Sequence, residues 1–116
     1  MSDNIFDLQE FMERVQNDKG LLLELLDIFT EDYKTKRQLL SEAIDKQDYE
    51  QVRSIAHSLK GATGNISAKV LRETFNQIEN MAKAENLEGI DRILVVLDSQ
   101  YEELKSRIDA VRTEGK

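Results

Sequence analysis

His57 is the only imidazole in the chain, and the residues at helical spacing around it are those an anion-handling site requires. With about 100° per residue and His57 set at 0°, Arg53 falls at about −40°, Ser54 at about +60°, Lys60 at about −60°, Gly61 at about +40° and Gly64 at about −20°. They share one face. Val52, Ile55, Leu59, Ala62 and Ile66 fall at about 140° to 220°, with Ala56 on the flank, so the ring is expected to point to solvent. An unperturbed imidazole titrates near about 6.5, so close to neutral pH its nucleophilic form predominates without help from a base. Lys60, at i+3, brings an ammonium to an anion attached to or approaching the ring. Gly61 and Gly64 each cost about 1 kcal/mol relative to alanine inside a helix. Lacking Cβ, they leave a shallow depression through which a ligand group or another protein's backbone comes close. The chemistry that fits is carriage of a phosphoryl group. A plainer account makes His57 one more solvated residue, Lys60 and Arg53 an ordinary charged face, and the glycines a loop; glycine placement alone leaves the two accounts even.

Other chemistries are narrowed by composition. The chain has 116 residues, the size of one domain. Without cysteine, disulfides, thiolate zinc sites and cysteine nucleophiles are excluded, and one histidine builds no multi-histidine metal site. Sixteen basic against 23 acidic residues leave a net charge of −7. Nucleic acid and anionic membrane surfaces, whose affinity comes from neutralised phosphates, are therefore unexpected partners. No apolar run approaches bilayer length, and the start, Met1-Ser2-Asp3-Asn4, lacks a basic region followed by an apolar stretch, so a cytoplasmic location is expected. Nothing resembles a nucleotide-binding loop or a hydrolytic constellation, so neither a kinase nor a hydrolase is expected.

The elements that must position His57 are helices. No proline occurs, glycines number five, and Leu, Glu, Lys, Gln and Ala abound. Leu87, Ile90, Leu94, Leu97, Tyr101, Leu104, Ile108 and Val111 recur three and four apart, forming the seam of a long C-terminal helix, with Asn86 as its expected N-cap. Leu71, Phe75, Ile78 and Ala82 mark a helix over about 67–84. Asp48 and Gln51 have capping-box spacing and open the helix that carries His57. A longer helix over about 18–45 buries Leu22, Leu26, Phe29, Tyr33, Leu40 and Ile44. Asp7 and Glu10 open a short first helix through Phe11, Met12 and Val15. Leu21, Leu22, Leu25, Leu26, Ile28 and Phe29 span about 160°, wider than one bundle seam, with Leu23 outside that arc. The first helix is expected to cover the surplus, part of which can serve as a docking patch. The fold class expected is all-α, an antiparallel up-down four-helix bundle with a short additional N-terminal helix, one domain over 1–116 that frays from about Thr113.

The segment Ala56-His57-Ser58-Leu59-Lys60-Gly61-Ala62-Thr63-Gly64-Asn65-Ile66-Ser67-Ala68 closely resembles the signature of histidine-containing phosphotransfer (HPt) domains. That signature is met at His57, Lys60, Gly61, Ala62, Thr63, Ile66 and Ala68. The resemblance extends to Ile5-Phe6-Asp7, to the leucine-rich stretch 21–29 and to 71–79. Two departures stand out: Ser67 occupies a position usually held by glycine, where it is read as a cap for the next helix, and Ala62 lacks a hydroxyl the family often has. The resemblance implies a bundle with an exposed, phosphorylatable His57 and a role in multistep phosphorelays, passing phosphoryl groups to and from receiver-domain aspartates. It implies a carrier without a kinase site, with Nε2 of His57 as nucleophile and Lys60 stabilising the transferring oxygens. No cofactor is expected beyond Mg²⁺ supplied by the receiver. Glu79 matches a family position that faces the histidine and can orient the ring or hold Lys60; an ordinary exposed glutamate is the rival reading. Gly61 and Gly64 are assigned to close approach of the receiver. Arg53 either screens an acidic receiver pocket or is a solvated helix charge. The expected partners are response-regulator receiver domains or a hybrid sensor histidine kinase, met by a monomer. The alternatives are a non-catalytic helical adaptor with an incidental histidine, and a degenerate bundle that docks receivers without accepting phosphate.

Overall fold

The computed structural model describes residues 5–114. The stretch 1–4, read above for a leader, and residues 115–116 lie outside it. Five helices follow one another: α1 (Leu8–Arg14), α2 (Lys19–Asp45), α3 (Tyr49–Asn65), α4 (Lys69–Lys83) and α5 (Ile90–Glu114). Helices α2 to α5 form the bundle, and α1 packs against the start of α2.

Three of these helices start on an aspartate. The carboxylates of Asp7, Asp18 and Asp48 accept from the backbone N–H groups of Glu10, Leu21 and Gln51 at 3.0, 3.0 and 3.2 Å, each satisfying a first-turn donor that has no helical partner. The return half of the first capping box is absent: the Asp7 N–H donates instead to the Ser67 carbonyl at 3.0 Å.

The ends of α1 to α4 share one device. Gln16, Gln47, Ser67 and Glu85 take left-handed φ values of 56°, 53°, 64° and 53°. The residue after each donates back across the turn, Asn17 to Met12, Asp48 to Ala43, Ala68 to Thr63 and Asn86 to Met81, at 2.8 to 3.0 Å. This is the Schellman closure, which satisfies a last-turn carbonyl. At α1 the next residue, Asn17, is also left-handed (φ 62°), which extends that turn before Asp18 opens α2.

The core runs along all five helices. Phe11, Leu22, Leu26, Leu40, Val52, Leu59, Leu71, Phe75, Ile78, Leu97 and Leu104 are fully buried or nearly so. Tyr33 stacks on Tyr101 with ring centroids 3.9 Å apart, and the Arg37 guanidinium forks onto the Asp98 carboxylate at 2.8 and 3.0 Å. Both contacts lock α2 to α5.

Several expectations are corrected. Asn86 does not cap α5: its side chain accepts from Glu88 N–H at 3.0 Å, Gly89 turns the chain at φ +82°, and the helix starts only at Ile90. Helix α4 starts at Lys69 rather than near 67, and α5 runs through Glu114, so Thr113 lies within it. Ala56 and Thr63 are fully buried, whereas Ile55 and Ala62 are only half-buried. The buried arc of α3 is turned toward the Lys60 flank because α4 packs there. Of the wide apolar arc of α2, Leu22, Leu26 and Phe29 are buried and Leu25 half-buried, while Leu21 and Ile28 stay exposed; Leu23, outside the arc, is half-buried too.

Candidate functional site

Helix α3 presents the His57 ring outward, 65% of the side chain exposed. Beside it rises Glu79 from α4, with only 3% of its side chain exposed. Its Oε2 lies 3.0 Å from His57 Nδ1. A carboxylate can only accept, so in the neutral ring Nδ1–H donates and the lone pair is left on Nε2, the nitrogen away from Glu79. The tautomer that suits a solvent-facing nucleophile is thus selected by a neighbour.

The same carboxylate holds Lys60, whose Nζ lies 2.7 Å from Oε1 and 3.4 Å from Asn76 Oδ1. Lys83, one turn beyond Glu79, brings its Nζ to 3.6 Å from Oε2. A buried charge is tolerated only when paired and hydrogen-bonded, and Glu79 is surrounded in this way. The Lys60 hydrogen bond is the main reason its carboxyl is held below the ordinary glutamate value; burial opposes that shift, and the His57 bond adds to it.

The reading of Glu79 as an ordinary exposed glutamate is therefore replaced by one in which it joins His57 and Lys60. Asn76 and Lys83 were not singled out from the sequence. Their signal was present: Arg72, Asn76, Glu79 and Lys83 stand at i, i+4, i+7 and i+11, a polar stripe along the edge of α4.

The other candidates separate. Arg53 pairs with Glu50 at 2.6 Å on its own helix, the arrangement of a solvated helix charge. A Cβ added at Gly61 would meet nothing within 4 Å, so the backbone there is bare. At Gly64 the space is already used, because the Arg72 side chain would lie 3.1 Å from an added Cβ. Ser67 does not cap α4: Ala68 holds the cap position, with no side-chain bond. The Ser67 hydroxyl donates instead to Glu10 at 2.6 Å. Its left-handed backbone shows what glycine would do at that place.

The chain is similar to known proteins. The Hpt domain family model matches residues 24–114. Histidine-containing phosphotransfer protein 2 of Arabidopsis thaliana is 28% identical over 102 residues, covering 84% of this chain; the chain spans 65% of that protein's length. The crystal structure of histidine-containing phosphotransfer protein B (HptB) from Pseudomonas aeruginosa PAO1 shares the fold, with a TM-score of 0.80 over 92% of this chain and 90% of that one, at 21% identity. With the family model running from α2 to the end of α5, the chain belongs to the Hpt domain family.

Proposed function

We propose that this protein is a phosphohistidine carrier: His57 accepts a phosphoryl group from a receiver-domain aspartate and passes it to another receiver. The observation that carries the reading is the Nδ1 contact of His57 with buried Glu79, which leaves Nε2 free on an exposed ring with Lys60 alongside.

The Nε2 lone pair attacks the phosphorus of an acyl phosphate. The N–P bond forms as the bond from phosphorus to the acyl oxygen breaks, and the aspartate leaves as a carboxylate. Nδ1 keeps its proton, so the phosphorylated ring carries a positive charge that Glu79 balances. In the onward step a second aspartate attacks phosphorus and the N–P electrons return to Nε2. Orientation on the partner surface and the charges there, including the receiver's Mg²⁺, supply most of the rate, and Lys60 adds one cation at the transferring oxygens. The protein itself acts as carrier and not as kinase.

The test is incubation with a phosphorylated receiver and Mg²⁺. Wild type gains acid-labile phosphate, His57→Gln folds and gains none, and Lys60→Ala slows transfer roughly tenfold or more without abolishing it. Label persisting on His57→Gln rejects the assignment.

A further inference from the structure

Glu79 has more positive neighbours than a resting carboxylate needs. Lys60 is fully engaged at 2.7 Å on Oε1, His57 at 3.0 Å on Oε2, and Lys83 stands off at 3.6 Å from Oε2. The two lysines differ in freedom: the Lys60 side chain is 23% exposed, that of Lys83 55%. Nothing about the resting geometry uses Lys83, the second cation, closely.

The transfer step changes what Glu79 requires. As the N–P bond to Nε2 forms and the donor's P–O bond breaks, the ring becomes cationic against Oε2 while the arriving oxygens draw the Lys60 ammonium toward the ring, loosening its pair with Oε1. That movement weakens the shortest ion pair of a nearly buried carboxylate, a loss shared between the ring's new charge at Oε2 and a cation that closes in from the other side. Lys83 is on the same helix at i+4, already within reach of Oε2 and mobile at its solvent end.

Resting on the phosphocarrier reading, we propose that Lys83 is a positioning residue: it takes over the charge of Glu79 while Lys60 is at the phosphoryl group. The Glu79 carboxylate is thereby passed between two lysines, one on each helix of the α3–α4 pair. Lys83 acts through Glu79 and need not touch phosphate.

The test is a double-mutant cycle on saturating transfer rate and on the receiver concentration giving half that rate. Lys83→Met lowers the saturating rate roughly tenfold with little change in half-saturation, and Lys83→Arg restores it. In a Glu79→Gln background, where no buried charge needs a counter-ion, adding Lys83→Met costs almost nothing further. An equal loss in both backgrounds, or a loss seen only as weaker receiver binding, overturns the proposal, because Lys83 would then act directly on phosphate or on the partner. Either result requires wild type to take up label on His57. Failure of that uptake overturns the carrier reading itself, and the assignment of Lys83 with it.

Discussion

At the residue scale the site is organised by one carboxylate. Glu79 decides which ring nitrogen of His57 is free and where Lys60 rests, and its proton affinity records that work. Its carboxyl is held below 4.5, first by the Lys60 hydrogen bond. A carboxyl depressed in the folded state contributes stability that is present above its unfolded value and is lost as pH falls through the folded one. Glu79→Gln removes that contribution, so the stability gap between wild type and variant is expected to be wide at neutral pH and to narrow as pH drops below 4.5. Urea unfolding midpoints of the two proteins across that range check it. The glycines make a second prediction. Gly61 faces open space, so Gly61→Leu improves helix propensity and raises stability by up to about 1 kcal/mol, yet its bulk blocks receiver approach and slows transfer. Gly64→Leu has to displace Arg72 and gains less stability. Thermal midpoints and transfer rates measured together check both, and a Gly61→Leu variant that transfers normally ends the close-approach argument.

At the element scale, what stands out is that α1 to α4 all end on a left-handed residue that is not glycine. A side chain in that conformation costs roughly 1 kcal/mol or more. Gln47 and Glu85 are exposed, so Gln47→Gly and Glu85→Gly are each expected to stabilise the fold by about 0.5–1 kcal/mol, read as a raised melting temperature. The same device explains which boundaries the amino-acid order hid. The starts at Asp7, Asp18 and Asp48 are legible because aspartate marks a cap by its chemistry. The start of α5 was misplaced because Asn86 reads as a cap while the turn is made at Gly89, and the turn at Ser67 is hidden because its left-handed angle has no residue type to announce it. The face of α3 was legible to within half a quadrant. His57 is exposed as its angle required, but the placement of α4 on one flank, which buries Ala56 and Thr63, depends on how two helices pack and not on either alone. Glu79 was identified through resemblance; its burial and its bond to His57 needed the neighbouring helix.

At the scale of the whole molecule, the N-terminal segment is fastened to the turn that follows the site. Arg14 donates to the carbonyls of Gly64 and Asn65 at 2.8 and 3.0 Å, satisfying last-turn acceptors of α3. Asp7 N–H reaches the Ser67 carbonyl, and Glu10 takes the Ser67 hydroxyl together with Lys69 at 3.0 Å. Helix α1 thus closes the end of α3 as well as covering α2. Arg14→Ala is expected to cost about 1 kcal/mol and to speed amide exchange at Ser67 and Ala68 more than in the middle of α4. Uniform acceleration along the chain would show that α1 only adds global stability. No helix among the described residues is long and apolar enough to cross a membrane.

Among the described residues nothing covers more than about a third of the His57 side chain. Whatever it bears is open to the next protein that arrives, and equally open to hydrolysis. On the carrier reading proposed above, such a molecule keeps no archive: its message lasts only as long as the race between encounter and water allows, and the abundance of its recipients bears on how faithfully a signal crosses it.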